Sequence, residues 1–184
     1  MANALRYLIE VVVSLATFIF IARFLIQACR VDFYNPISQG FVKLTDPILK
    51  PVRLVLPSYR NLDIAAFLAA VLVQFLGFLL ISGQGLAGFG LLFGFASLQI
   101  VLLVLKILRW SIIIMAIVSF ISPGNPHPAL RLLEQLVEPV LAPARRLLPP
   151  MGGLDLSPII VIVIIAMLEM ILPDLYGRFV GLFG

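Results

Sequence analysis

Five charged residues stand inside otherwise apolar runs: Glu10, Arg23, Lys106, Arg109 and Glu169. A charge deep in a hydrocarbon layer costs at least about 2.5 kcal/mol, so it faces a partner, water or the edge of the layer. Two readings follow. In one, Glu169 with Lys106 and Arg109 lines an ion or proton path. In the other, Arg23 and Lys106 reach toward the headgroups and the remaining charges pair for packing. Four spans make a narrow bundle with little room for a pore, and fixed cations oppose a bare potassium path, so the second reading is favoured. The catalytic inventory is short. His127, the only histidine, lies between Pro126 and Pro128, where a turn or helix cap is expected rather than a metal or acid–base role. Cys29 is the only cysteine, which excludes an intramolecular disulfide and a cysteine-based zinc site. It follows an apolar run beside Arg30 and is expected to pack, with a reactive thiol or lipidation as rival readings. No serine has a base and an orienting partner in view, and there is no glycine-rich phosphate loop. Neither an enzyme nor a bound cofactor or metal is expected.

The surroundings of those charges are set by composition. The chain has 184 residues, 62% hydrophobic and 12% charged, with mean hydropathy +1.15. A soluble domain carries roughly a quarter charged residues, so lipid has to cover this surface. The expected fold is an all-α membrane protein with four transmembrane helices. The net charge of +4 marks loop bias, and no basic, aromatic cluster suited to nucleic acid occurs.

The elements come in two copies. Residues 35–56, NPISQGFVKLTDPILKPVRLVL, return as 127–148, HPALRLLEQLVEPVLAPARRLL, at a constant offset (128 − 36 = 92). Pro36, Pro47, Pro51, Arg53 and Pro57 fall on Pro128, Pro139, Pro143, Arg145 and Pro149, and Asp46 falls on Glu138. The register continues with Asp63 on Asp155. Such a repeat is settled before any other feature. The first unit is 1–92, with a span at 5–29, an amphipathic segment at 36–56, a span at 63–81 and a glycine-rich turn at 82–90. The second is 93–184, with a span at 96–121, an amphipathic segment at 128–148, a span at 155–173 ended by Pro173, and a short tail. A cleaved signal peptide is the rival for the first span. Glu10, the length of the run and the lack of a small-x-small site speak against it.

On a helical wheel, Phe41, Leu44, Ile48, Val52 and Val55 share one face, opposite Lys43, Asp46, Lys50 and Arg53. In the second copy Leu133, Leu136, Val140, Ala144 and Leu147 oppose Arg131, Glu134, Glu138 and Arg145. These segments are too charged and too rich in proline to span. They are expected to lie in the interface, with Lys43, Lys50, Arg53, Arg131, Arg145 and Arg146 facing anionic headgroups or a protein partner. Asp46-Pro47 and Glu138-Pro139 resemble helix restarts, so each segment is expected to be two short helices joined at a kink, with Pro51 and Pro143 one turn on. Asp63 and Asp155 stand where N-caps would begin the next spans. Lysine and arginine crowd both repeated loops, while only Arg6 and Arg178 flank the other ends, which places both segments in the cytoplasm and both termini outside. Ala65/Ala69, Ala66/Ala70, Gly90/Gly94 and Gly177/Gly181 leave a homo-oligomer open beside packing within the chain.

The stretches RFLIQACRVDFYNPISQ, LTDPILKPVR, GNPHP and EPVLAPARRLLPPMGGLDLSPII, with four-span hydropathy over nearly the whole chain, resemble the YggT (YlmG) family of bacterial and plastid membrane proteins. The motif residues are Pro47, Pro51 and Asp63 in one copy and Pro139, Pro143, Gly152, Gly153, Asp155, Ser157 and Pro158 in the other. The first copy departs from the second, with Tyr59-Arg60-Asn61 in place of the glycine turn and Ala65-Ala66 in place of Ser157-Pro158. The resemblance implies a non-enzymatic factor of the inner membrane. It connects the chain loosely with osmotic and potassium homeostasis, cell division and cytochrome maturation. Two functions are therefore carried forward. One is a scaffold or assembly factor acting through its amphipathic segments, and the other is a small ion channel or transport regulator.

Overall fold

The structure, a computed structural model, describes residues 2–56, 60–82, 89–122, 124, 126–147 and 155–183. Gly152, Gly153 and most of the glycine-rich turn lie outside the described residues. Among those described are six helices and no strand: α1 (Ala2–Ala28), α2 (Pro36–Val55), α3 (Ile64–Ser82), α4 (Phe89–Ile121), α5 (Pro128–Leu147) and α6 (Ser157–Phe183). Four of them, α1, α3, α4 and α6, are long and apolar enough to cross a bilayer. The protein is an all-α membrane protein.

The two most extensive contacts are antiparallel pairs, α1 on α3 and α4 on α6, and α3 against α4 joins them. α2 and α5 lie side by side across one end, which we call the cap end. Asn35 Nδ2 donates to the Pro128 carbonyl at 2.7 Å, and the Asp32 amide donates to Gln135 Oε1 at 2.8 Å, so the two copies touch through their caps. The helix starts are equivalent. Asn35 Oδ1 accepts from the Ile37 amide at 2.9 Å, and His127, at the matching position, accepts at Nδ1 from the Ala129 amide at 3.2 Å. His127 is thus a helix cap, as its setting between prolines implies. The largest fully buried side chains, Leu49, Val137 and Leu141 of the caps with Ile21, Ile100 and Ile112 of the spans, belong to one core cluster. At the opposite end aromatic rings do the joining. Phe75 meets Phe89 at 5.0 Å, Phe78 meets Phe95 at 4.9 Å, and Tyr176 donates to the Leu91 carbonyl at 2.7 Å over Gly94.

Several expectations change. α2 and α5 are each one helix, with Pro47, Pro51, Pro139 and Pro143 inside. The prolines lie on the exposed side, four residues apart, so the carbonyls they leave unbonded face outward where water or headgroups meet them. α6 likewise runs through Pro173. Skipping one bond in lipid costs less than ending a helix there and freeing a whole turn of backbone. The docked faces also differ from the wheel. α2 buries Ser38, Val42, Thr45 and Leu49, and α5 buries Leu132, Leu136, Val137 and Leu141. Leu44, Ile48, Leu54, Val55 and Leu147 stay exposed. Protein and lipid both accept apolar side chains, so one wide apolar arc is shared between two solvents. Thr45 enters the core because its hydroxyl donates to the Phe41 carbonyl at 2.7 Å. Ala65, Ala66 and Ala70 are wholly buried within the chain.

One close approach fixes the first pair of spans. A Cβ on Gly77 would stand 2.6 Å from Val13 Cγ1 and 2.8 Å from its Cγ2, and a β-branched side chain on a helix has little freedom to retreat. Gly77→Ala is expected to destabilise α1 against α3 by about 1–3 kcal/mol. Thermal unfolding in detergent, followed by circular dichroism, checks this, and Val13→Ala added to Gly77→Ala should recover most of the loss.

Candidate functional site

Three sets of polar residues stand out of the apolar frame. The first ties each cap helix to the span that follows it. Asp63 is fully buried at the start of α3, where its Oδ1 accepts from the Ala66 amide at 3.2 Å as an N-cap. Arg53, in the last turn of α2, forms a two-pronged ion pair with the same carboxylate and reaches Asp46 at 3.6 Å, and Lys50 closes on Asp46 at 3.4 Å. The second copy repeats the clasp at the same offset. Arg145 donates to Asp155 at 2.9 Å and to Glu138 at 2.7 Å. Here the helix starts differently. α6 begins at Ser157-Pro158, and Asp155 accepts from the Ser157 amide at 2.9 Å from just outside the helix, because Pro158 occupies the first turn.

Arg53 and Arg145, on the charged arc of the wheel, are thus engaged within the protein. Each is held by two carboxylates, one of them at the foot of the next span. Lys43, Arg131 and Arg146 are exposed, and so is Lys50 beyond its pair with Asp46. Arg23 is buried and does not reach the surface of the protein. It is 7% exposed beneath α2, within the field of Arg53, Asp63 and Asp46, and its Nε has no partner. Outside the spans the charges are tuned. Burial resists the Arg145 charge, but hydrogen bonds to Asp155 and Glu138 outweigh it and hold its pKa above the usual value. Burial also works against the Asp155 carboxylate, and the Ser157 bonds and Arg145 overcome it, holding its pKa below the ordinary range. Burial pushes the Cys29 thiol up, away from the reactive thiolate.

The second set is an ion pair inside the membrane, Arg109 with Glu169 at 3.1 Å, linking α4 to α6. The repeat offset explains its place. Arg109 falls on Thr17 and Glu169 on Gly77, so the position that glycine opens in the first copy is filled by a charged pair in the second. The third set lies between α1 and α4 with α3 as its floor. Thr17, 2% exposed, donates to Gln74 Oε1 at 3.0 Å, and Ser14, Gln99, Glu10 and Lys106 line the same cleft. Among the described residues Glu10 and Lys106 belong to no ion pair. Ser14, Thr17, Gln74 and Gln99 were passed over in the sequence because they carry no charge. Their signal was the spacing of Glu10, Ser14 and Thr17, four and three apart on one helix face. No group of histidine, cysteine or carboxylate side chains suited to a metal occurs among the described residues.

The buried clasp carries the larger share of stability. Asp63→Ala strands Arg53 and uncaps α3, and is expected to cost about 3–5 kcal/mol. Asp155→Ala, in a wetter site, should cost distinctly less. Because the Asp155 pKa is depressed by folding, its contribution is complete above the ordinary carboxylate pKa of about 3.9 and is lost as pH falls through its lower folded value. Unfolding of the wild type and both variants as a function of pH checks order and sign together, since Asp155→Ala should flatten the acid limb of the curve.

The comparisons agree with this architecture. The family model described as CCB3/YggT matches twice, over residues 2–84 and 95–176. An uncharacterized protein of Pseudomonas aeruginosa is 36% identical over 184 residues, covering 98% of this chain and 93% of that one. An uncharacterized protein named YggT from Escherichia coli K12 is 37% identical over 169 residues, covering 91% of this chain and 88% of its own. A Vibrio alginolyticus protein from the proC 3' region is 35% identical over 179 residues, covering 95% and 96%. No solved structure matches. With two tandem matches over nearly its full length and relatives above the level at which families are secure, the chain belongs to the CCB3/YggT family.

Proposed function

We propose that this is a non-enzymatic scaffold or assembly factor of the bacterial inner membrane, working through α2 and α5. One observation carries the reading. The two amphipathic helices are joined to each other and clasped to the spans, yet Lys43, Lys50, Arg131 and Arg146 remain exposed beside Leu44, Ile48, Leu54 and Leu147. A held, amphipathic, cationic surface at the headgroup level suits anionic lipid and a protein partner together. The charge bias of the loops puts that surface in the cytoplasm and both termini in the periplasm. The engagement of the polar groups around the cap helices in caps and clasps supports a non-enzymatic reading. An ion path would require polar walls toward the cap end of the α1–α4 cleft. That half is lined instead by residues such as Phe18, Leu25, Phe41 and Leu136, which supports the caps as the working surface.

The test reverses the four exposed cations and spares the clasps: Lys43→Glu, Lys50→Glu, Arg131→Glu and Arg146→Glu together. Insertion and thermal stability are expected to hold. Retention of phosphatidylglycerol over phosphatidylethanolamine in native mass spectrometry should disappear, as should any discrete protein adduct formed in cells by a photo-crosslinker at Leu54. A variant that keeps both would remove the reading.

A further inference from the structure

We infer that the cleft between α1 and α4 binds an amphiphile with a zwitterionic head, its anionic group next to the tail and its ammonium further out. Three adjoining cavities make up the cleft. A cavity of 310 Å³ bounded by Glu10 and a second of 180 Å³ bounded by Lys106 share Ser14, Gln74 and Gln99. The second then shares Leu103 and Lys106 with an apolar cavity of 410 Å³ that ends against α2 and α5. It exists because α1 packs along α3 and α4 along α3 and α6, while α1 and α4 meet only briefly. The two outer cavities, of 310 and 410 Å³, fall in the range of small-ligand sites, about 300–1,000 Å³, and the smaller one of 180 Å³ lies between them, so that together they line one trough.

The chemistry along the trough is ordered. Farthest from the caps stands Glu10, about 10 Å or two helical turns from Thr17. Thr17 and Lys106 line the same cavity, with Lys106 near the middle of its span. Beyond Lys106 the walls are apolar, with Phe18, Leu25, Trp110 and Leu136 among them. Neither charge has an ion-pair partner among the described residues, although Arg109, one turn from Lys106, has Glu169. Ser14 and Gln99 also make no hydrogen bond to the described residues. A phospholipid of the leaflet opposite the caps presents the complement in the same order. Its phosphate lies next to its tail and faces Lys106, its ammonium lies outward and faces Glu10, and its chain enters the apolar cavity. The hydroxyls and amides between them replace the water a head gives up when it sinks below its own leaflet. The shared chemistry is a phosphoethanolamine head on a hydrocarbon tail, whether one chain or two.

Trp110 is the only tryptophan and lines the tail cavity, so it reports occupancy directly. The full chain in a non-ionic detergent would be titrated with lysophosphatidylethanolamine brominated on its acyl chain. Quenching is expected to saturate. Lys106→Met should weaken binding by about tenfold or more, both for this probe and for lysophosphatidylglycerol, since a charge-assisted bond to phosphate is lost. Glu10→Gln should weaken only the ammonium-bearing probe. Both residues are exposed and unpaired, so circular dichroism and Tm should be unchanged. A parallel titration with brominated diacyl phosphatidylethanolamine in nanodiscs assigns the source: saturation there identifies a two-chain lipid, and saturation with the lyso form alone a single-chain one. Quenching that rises without limit, that ignores Lys106→Met, or that a headless brominated alkane reproduces with equal affinity would overturn the assignment. Reversal of the cap cations leaves every cleft residue in place, so the scaffold reading and this one can fail separately.

Discussion

The structure depends on a carboxylate that has no water. Asp63 is fully buried where α3 begins. A charge so placed is tolerated only with a cation and hydrogen bonds around it. Arg53 and the Ala66 amide supply them, and in doing so they bring the end of α2 to the foot of α3. The cap helix therefore cannot swing free of the bundle. The second copy makes the same connection from Arg145 to Asp155 with more water present. Two clasps, and the bonds from Asn35 and Asp32 to the other copy, turn a pair of amphipathic helices into one fixed surface. The clasps also decide which cations that surface presents, because the arginines they consume are no longer on it.

Within the spans the two copies have diverged while keeping their frame. Gly77 in the first permits α1 and α3 to meet at Val13, and Glu169 in the second meets Arg109 across α4 and α6. Both arrangements hold an antiparallel pair, one by shape and one by charge in a medium where an unpaired ion is expensive. Ser14 falls on Lys106 under the repeat offset, yet both line the same cleft. Equivalent positions of the two copies have thus become opposite walls of one site, and their chemistry is free to differ.

Much of this was legible in the sequence for physical reasons. Span length follows from hydrocarbon thickness, and the tandem units follow from the repeated prolines and arginines. The N-cap role of Asp63 and the capping role of His127 follow from local rules that need no tertiary knowledge. The docked face of α2 and α5 was not legible, since Leu44 and Leu49 are equally apolar and only packing decides which meets protein and which meets lipid. Arg53 and Arg145 were misplaced because a helical wheel sees one helix, and their partners stand ten residues on, past the turn. Pro173 reads as a stop because in water it often is one, whereas in lipid the unsatisfied turn that would follow is the greater cost. The uncharged polar residues of the cleft give no charge signal, and only the tertiary packing of α1, α3 and α4 brings them together.

The open cleft follows from how the copies are arranged. If the spans closed around a twofold axis, the contact of α3 with α4 would be matched by one of α6 with α1. The first is extensive, and among the described residues no comparable second contact occurs. The spans form a row, α1 then α3 then α4 then α6, with the approximate symmetry expressed in the caps instead. A row leaves α6 exposed to lipid along most of its length and leaves the space between α1 and α4 walled by protein on three sides only. A path with one side made of lipid is a trough and not a tube. It suits a molecule that keeps its tail in the bilayer while its head meets protein, and a single chain built this way does so without any helix having to move.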